Sequence, residues 1–188
     1  MRRLRVTALA GVVILGVTSS AQASLIATIP GTDCSGVFGI GLANCVIPDE
    51  FDPDNSPVII KFNADGTVSD INSVLFPTIS GSEFSFEFGP GGTTGTWTYT
   101  PGADDPATLV AFFVAKGGNF FNLFSNNPVD NTDAWMTPLN PANGRRFGLS
   151  HLTFYEGGTT QIPEPALLVL VGSGLLLAAT RMKRPRNR

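Results

Sequence analysis

His151 is the only histidine in 188 residues, so any catalytic triad or histidine-rich metal centre in this chain has to be built around it. Ser150, its neighbour, would point to the opposite face of the same strand and so cannot serve as its nucleophile. His151 is therefore expected to be a strand residue beside Thr153 and Tyr155. Glu83 and Glu87 share a strand face but lie four residues apart, about 13 Å. Two carboxyl groups act on one glycosidic bond only across roughly 5 to 9.5 Å. Asp104-Asp105 sits in Pro101-Gly102-Ala103-Asp104-Asp105-Pro106, which is turn chemistry first and an ion-ligand candidate second. The acidic stretch Asp49-Glu50-Phe51-Asp52-Pro53-Asp54-Asn55 offers several hard oxygens, so Asp49, Glu50, Asp52 and Asp54 form a weak calcium candidate. It lacks the acidic-and-glycine order of a calcium loop, and Pro53 stiffens it. Trp97, Tyr99, Trp135 and Tyr155 are the rings to consider for stacking on sugars, against the ordinary use of such rings as core. No phosphate-cradling glycine loop appears. With no catalytic set and no firm metal or cofactor site, a non-enzymatic protein is expected.

The elements that must position these residues read as strands. Val58-Ile59-Ile60-Lys61-Phe62, the turn Asn63-Ala64-Asp65-Gly66 and Thr67-Val68-Ser69 predict a hairpin. Glu83-Phe84-Ser85-Phe86-Glu87-Phe88 alternates without error, which predicts a half-buried strand with three Phe on one face. Gly95-Thr96-Trp97-Thr98-Tyr99-Thr100 repeats the pattern. Residues 108–116 and 119–124, joined at Gly117-Gly118, predict a second hairpin whose first arm is apolar throughout and therefore central. Residues 149–155 predict a last strand. No helical period, heptad or repeat appears in the body, so the expected fold is all-β, an antiparallel, jelly-roll-like β-sandwich over residues 24–155 with a linker at 156–162.

Composition narrows the partners. Residues 24–162 keep only Lys61, Lys116, Arg145 and Arg146 against 14 carboxylates, a net of −10. Such a body repels phosphate backbones, which excludes nucleic-acid binding as its role. All 14 phenylalanines fall within it, enough for one real core.

The two ends are addresses. A basic start at Arg2, Arg3 and Arg5, an apolar run and a small-x-small ending predict a secretory signal over residues 1–23, cleaved after Ala23 and handled by Sec-type export machinery and signal peptidase. Export places Cys34 and Cys45, the only cysteines, in an oxidising compartment, where a disulfide is the default. At the other end Pro163-Glu164-Pro165 precedes an apolar stretch over 166–180 and a basic tail over 181–188 with Arg181, Lys183, Arg184, Arg186 and Arg188. Eight Leu and Val favour insertion by about 2 to 5 kcal/mol. As a helix the stretch reaches about 22 Å, short of a ~30 Å hydrocarbon core, which makes it a marginal single transmembrane anchor. The basic tail stays cytoplasmic and leaves the body outside.

The order Pro-Glu-Pro, apolar helix with Gly172-Ser173-Gly174 and Arg-rich end resembles the PEP-CTERM sorting signal of exopolysaccharide-producing Gram-negative bacteria. That resemblance, over residues 163–188, implies processing by exosortase, a membrane-embedded enzyme, with Pro163, Glu164 and Pro165 as its recognition motif. The two prolines hold the motif extended and remove two amide donors, which suits a processed strand. A fainter similarity to extracellular regions upstream of such tails rests on Thr96-Trp97-Thr98-Tyr99, residues 113–119, Asn122-Leu123-Phe124 and residues 149–155. The resemblance implies an inner-membrane-anchored precursor facing the periplasm, released into the envelope or extracellular matrix and associated with exopolysaccharide or biofilm. Its body would be structural or adhesive. A carbohydrate-binding module is the alternative, and a polysaccharide-active hydrolase a more distant one.

Overall fold

A computed structural model describes residues 23–107, 109–126 and 129–157, and among them nine strands and two short 3-10 turns form. Residues 1–22 of the expected signal segment 1–23, residues 158–162 of the expected linker 156–162 and the expected sorting tail 163–188 lie outside the described residues. The strands are β1 (Ser24–Pro30), β2 (Val58–Asn63), β3 (Val68–Ile71), β4 (Phe84–Phe88), β5 (Thr94–Tyr99), β6 (Val110–Gly117), β7 (Phe120–Ser125), β8 (Thr132–Met136) and β9 (Leu149–Glu156). All pairings are antiparallel. One sheet has six strands in the order β1-β7-β6-β9-β2-β3, the other three in the order β4-β5-β8. The β-sandwich expected from the sequence is therefore present, with six and three strands rather than the two four-stranded sheets of a jelly roll.

Alternation decides which sheet gets a wet face. In β4 and β5 every second residue is polar, so their aromatic face turns inward and Ser85, Glu87, Thr96 and Thr98 face out. β6 does not alternate because both of its faces are buried. Phe113 and Ala115 point into the sandwich interior, while Val114 points the other way, into a second apolar cluster under residues 31–57. That segment crosses the outer face of the large sheet and brings Cys34, Phe38, Cys45 and Ile47 down onto Val58, Phe121, Leu123 and Tyr155. The molecule thus has three layers: a covering loop, the six-stranded sheet and the three-stranded sheet.

β1 and β8 were not read from the sequence. Both are edge strands. β1 carries mostly exposed residues, a register slip after Leu25 and a terminal Pro30, so it lacks an apolar face to betray it. In β8 the inward positions are Asp133 and Trp135, and the buried carboxylate, accepting the Ala23 amide at 2.6 Å, breaks the apolar pattern.

Phe154 is the hub of the inner core. Its ring meets Phe62, Phe84, Phe86, Trp97 and Phe113 with centroids 4.9 to 6.2 Å apart. Gly95 leaves room for the Trp135 indole, which a Cβ there would meet at 2.5 Å. Removing the Phe154 ring would open a cavity walled by rigid rings that cannot collapse into it. Phe154→Ala is expected to destabilise the fold by about 3 to 5 kcal/mol, read as a lower urea midpoint at unchanged slope.

Candidate functional site

The chemically richest place in the body lies between the covering loop and the large sheet. β9 sends His151, Thr153 and Tyr155 toward the loop, since side chains two apart share a face. Across the strands, His151 pairs with Lys116 of β6 and Asn63 of β2, and Thr153 pairs with Lys61. From the loop Asp33 descends with no exposed surface. Its Oδ1 lies 2.8 Å from His151 Nε2, and its Oδ2 accepts the Tyr155 hydroxyl at 3.2 Å. The next residue, Cys34, is bonded to Cys45 as expected, with Cα atoms 5.0 Å apart. The Tyr155 oxygen lies 3.5 and 3.4 Å from the two sulfurs. Closing this short loop contributes about 3 kcal/mol on the chain-entropy view.

The electrostatics follow from burial. Desolvation alone would raise the Asp33 carboxyl, but the hydrogen bond from His151, that ring's charge and, more weakly, Thr153 and Lys61 override it, and the group is held at about 2. The Thr153 hydroxyl does so without a well-formed hydrogen bond. Burial pushes the Tyr155 phenol well above its ordinary range, and the adjacent Asp33 charge pushes the same way. Burial also lowers Lys116, whose ammonium donates to the Gly118 carbonyl at 2.6 Å.

A histidine bonded to a buried carboxylate is two-thirds of a nucleophilic triad. The third member is absent: among the described residues no serine or cysteine partners the other ring nitrogen, and Ser150 is exposed on the far face of β9. His151 is itself buried. The arrangement fastens the covering loop to the sheet.

The other nominated residues go elsewhere. Trp97, Tyr99, Trp135 and Tyr155 are all fully buried, so none offers a face to a sugar; the core takes them. The calcium candidate does not converge. Asp52 turns its carboxylate onto the amides of Asp54 at 3.2 Å and Ser56 at 2.8 Å, closing its own turn. Asp49 and Glu50 line an open groove of about 580 Å³ with Val37, Phe38 and Val46. Among the described residues no three His, Cys, Asp or Glu side chains are grouped to hold a metal ion. Glu83 caps the Ser80 and Gly81 amides, and Asp105 caps Gly102. Pro163, Glu164, Pro165 and the basic tail lie outside the described residues. Among those that are described, no helix is long and apolar enough to cross a membrane. No family model, curated protein or solved structure matches the chain.

The sequence reading missed Asp33. It lies 118 positions from His151, beside a cysteine, and belongs to no local pattern. Because its carboxyl is depressed from 3.8 to about 2, its contribution is fully present above about pH 4 and disappears as the pH falls toward 2. The shift corresponds to about 2 kcal/mol. Asp33→Asn is expected to flatten the loss of unfolding free energy between pH 4 and 2, measured by urea titration at each pH.

Proposed function

We propose that this chain is an exported protein, sorted by exosortase through Pro163-Glu164-Pro165 and its tail, whose body serves as a non-catalytic structural or adhesive module of the cell envelope or extracellular polysaccharide. The observation that carries this reading is the tripartite C-terminal order of Pro-Glu-Pro, apolar stretch and basic end, together with a basic start followed by an apolar run and a small-x-small ending at residues 1–23. A disulfide buried in the covering layer is compatible with an oxidising compartment. The enclosed His151–Asp33 pair supports a structural role for the one histidine available. Mass spectrometry of the mature protein is expected to find a C-terminus near Pro163-Glu164-Pro165 in cells with exosortase and the intact tail in cells without it. An identical C-terminus in both overturns the sorting.

A second reading, glycan binding, is favoured by one feature. The outer face of the small sheet forms a groove of about 480 Å³ lined by Ser85, Phe86, Glu87, Thr96, Thr98 and Thr132, with a single charge among hydroxyls. Such a surface can exchange hydrogen bonds with a neutral polysaccharide. On this reading a neutral glycan array gives signals that Thr98→Lys abolishes without changing the melting temperature; a silent array removes it.

A further inference from the structure

We propose that the end of the sandwich from which both chain termini leave is a membrane-docking face, and that it meets a bilayer surface of zwitterionic, amine-headed phospholipid. This rests on the reading of the C-terminal tail as an anchor and adds what the body does beside it. Strand direction assembles this end. β1 starts there and β9 finishes there, next to the start of β2, the end of β3 and the start of β6. Side-chain amides staple two of the connections to the sheet, Asn72 donating to the Val58 carbonyl at 3.0 Å and Asn126 to Val110 at 2.7 Å, while Asn131 ties one connection to another through the Ala107 carbonyl at 2.9 Å. These bonds hold the described parts of the connections in place.

It is also apolar where it protrudes. Val74 and Leu75, between β3 and β4, are 83% and 55% exposed. Beside Leu75 runs a groove of about 420 Å³ walled by Pro57, Phe76, Pro77, Ile79 and Pro106. Single exposed apolar residues need no explanation, but a grouped set with a polar rim marks a contact surface.

Chain length fixes what it contacts. Between Gly157 and Ala166, where the apolar stretch begins, lie the eight residues 158–165. Fully extended they span at most about 30 Å, so an anchored chain holds this end toward the bilayer. Charge selects the headgroup. Asp104, Asp105, Asp130 and Glu156 surround this end, whereas Arg145 and Arg146 lie at the opposite end and Lys61 and Lys116 on the large sheet. Anionic headgroups are repelled, and a terminal ammonium meets the carboxylates.

The test uses the full chain in phosphatidylethanolamine/phosphatidylcholine vesicles, with an environment-sensitive fluorophore on Val74→Cys or, at the far end, on Ala142→Cys. The native cysteines, being bonded to each other, stay unlabelled. The expected result is blue-shifted emission from position 74, quenched by headgroup-level nitroxide lipid, with water-like emission from position 142. Replacing half of the lipid with anionic phosphatidylglycerol weakens the quenching. Water-like emission at position 74, in vesicles that keep the chain through a carbonate wash, overturns docking and leaves the anchor standing. Loss of the chain in that wash overturns both. A blue shift without vesicles that grows with protein concentration assigns the face to a second copy and overturns the proposal. Stronger quenching with phosphatidylglycerol overturns the choice of headgroup.

Discussion

A carboxylate with no access to water has to be compensated where it lies, and much of this molecule is arranged around the compensation of Asp33. His151 and Tyr155, two steps of β9 on either side of Thr153, each hold one of its oxygens. Removing either partner would strand a buried charge, which is why such contacts destabilise strongly when broken even where the intact pair contributes little. The pair also fixes register. A one-residue slip of β9 would turn His151 and Tyr155 into the sandwich interior and Leu152 and Phe154 out of it. Polar pairing on one face and the aromatic hub on the other therefore specify the same alignment.

The disulfide acts on the same element from the covering side. Cys34 follows Asp33 directly, so the crosslink restrains the loop next to the carboxylate, and Tyr155 touches both sulfurs. Covering the large sheet in this way gives β6 and β9 two apolar environments, one against the small sheet and one against the loop. The loop is thus a third layer of the core despite containing no long regular element.

What was legible in the sequence follows the same physics. β4 and β5, wet on one side, wrote period two into their residues, and the hairpins β2–β3 and β6–β7 were marked by Asn63-Ala64-Asp65-Gly66 and Gly117-Gly118. The continuous apolar run of β6 pointed correctly to a central strand, although what covers its second face was not visible, because residues 31–57 carry no period. The edge strands β1 and β8 escaped for the opposite reason: neither face of β1 is fully buried, and Asp133 interrupts the other strand. Asp33 was out of reach, since a contact across 118 residues leaves no local trace. The four rings nominated for sugars show how one residue type serves two ends. Trp97 and Tyr99 alternate with threonine on β5, and alternation says that they share a face without saying which face is wet. A sheet with only three strands needs that face for the core, and hydroxyls are left outside.

The position of β9 bears on what an anchored body must withstand. The strand is hydrogen-bonded on both sides, to β6 and to β2, over most of its length, and it runs directly toward the C-terminal linker. A pull from the proposed anchor, where it is directed along the strand axis, would be carried by both neighbours of β9. Both ladders are then loaded in shear, and their bonds share the load instead of opening one after another. The His151–Asp33 bond and the aromatic contacts of Phe154 lie on the two faces of this strand and resist the same displacement. An edge strand in this position would have one ladder and one buried face. Placing the last strand at the centre of the large sheet, pinned above by the His151–Asp33 bond and below by rings, joins the proposed anchor to the most firmly held element of the fold.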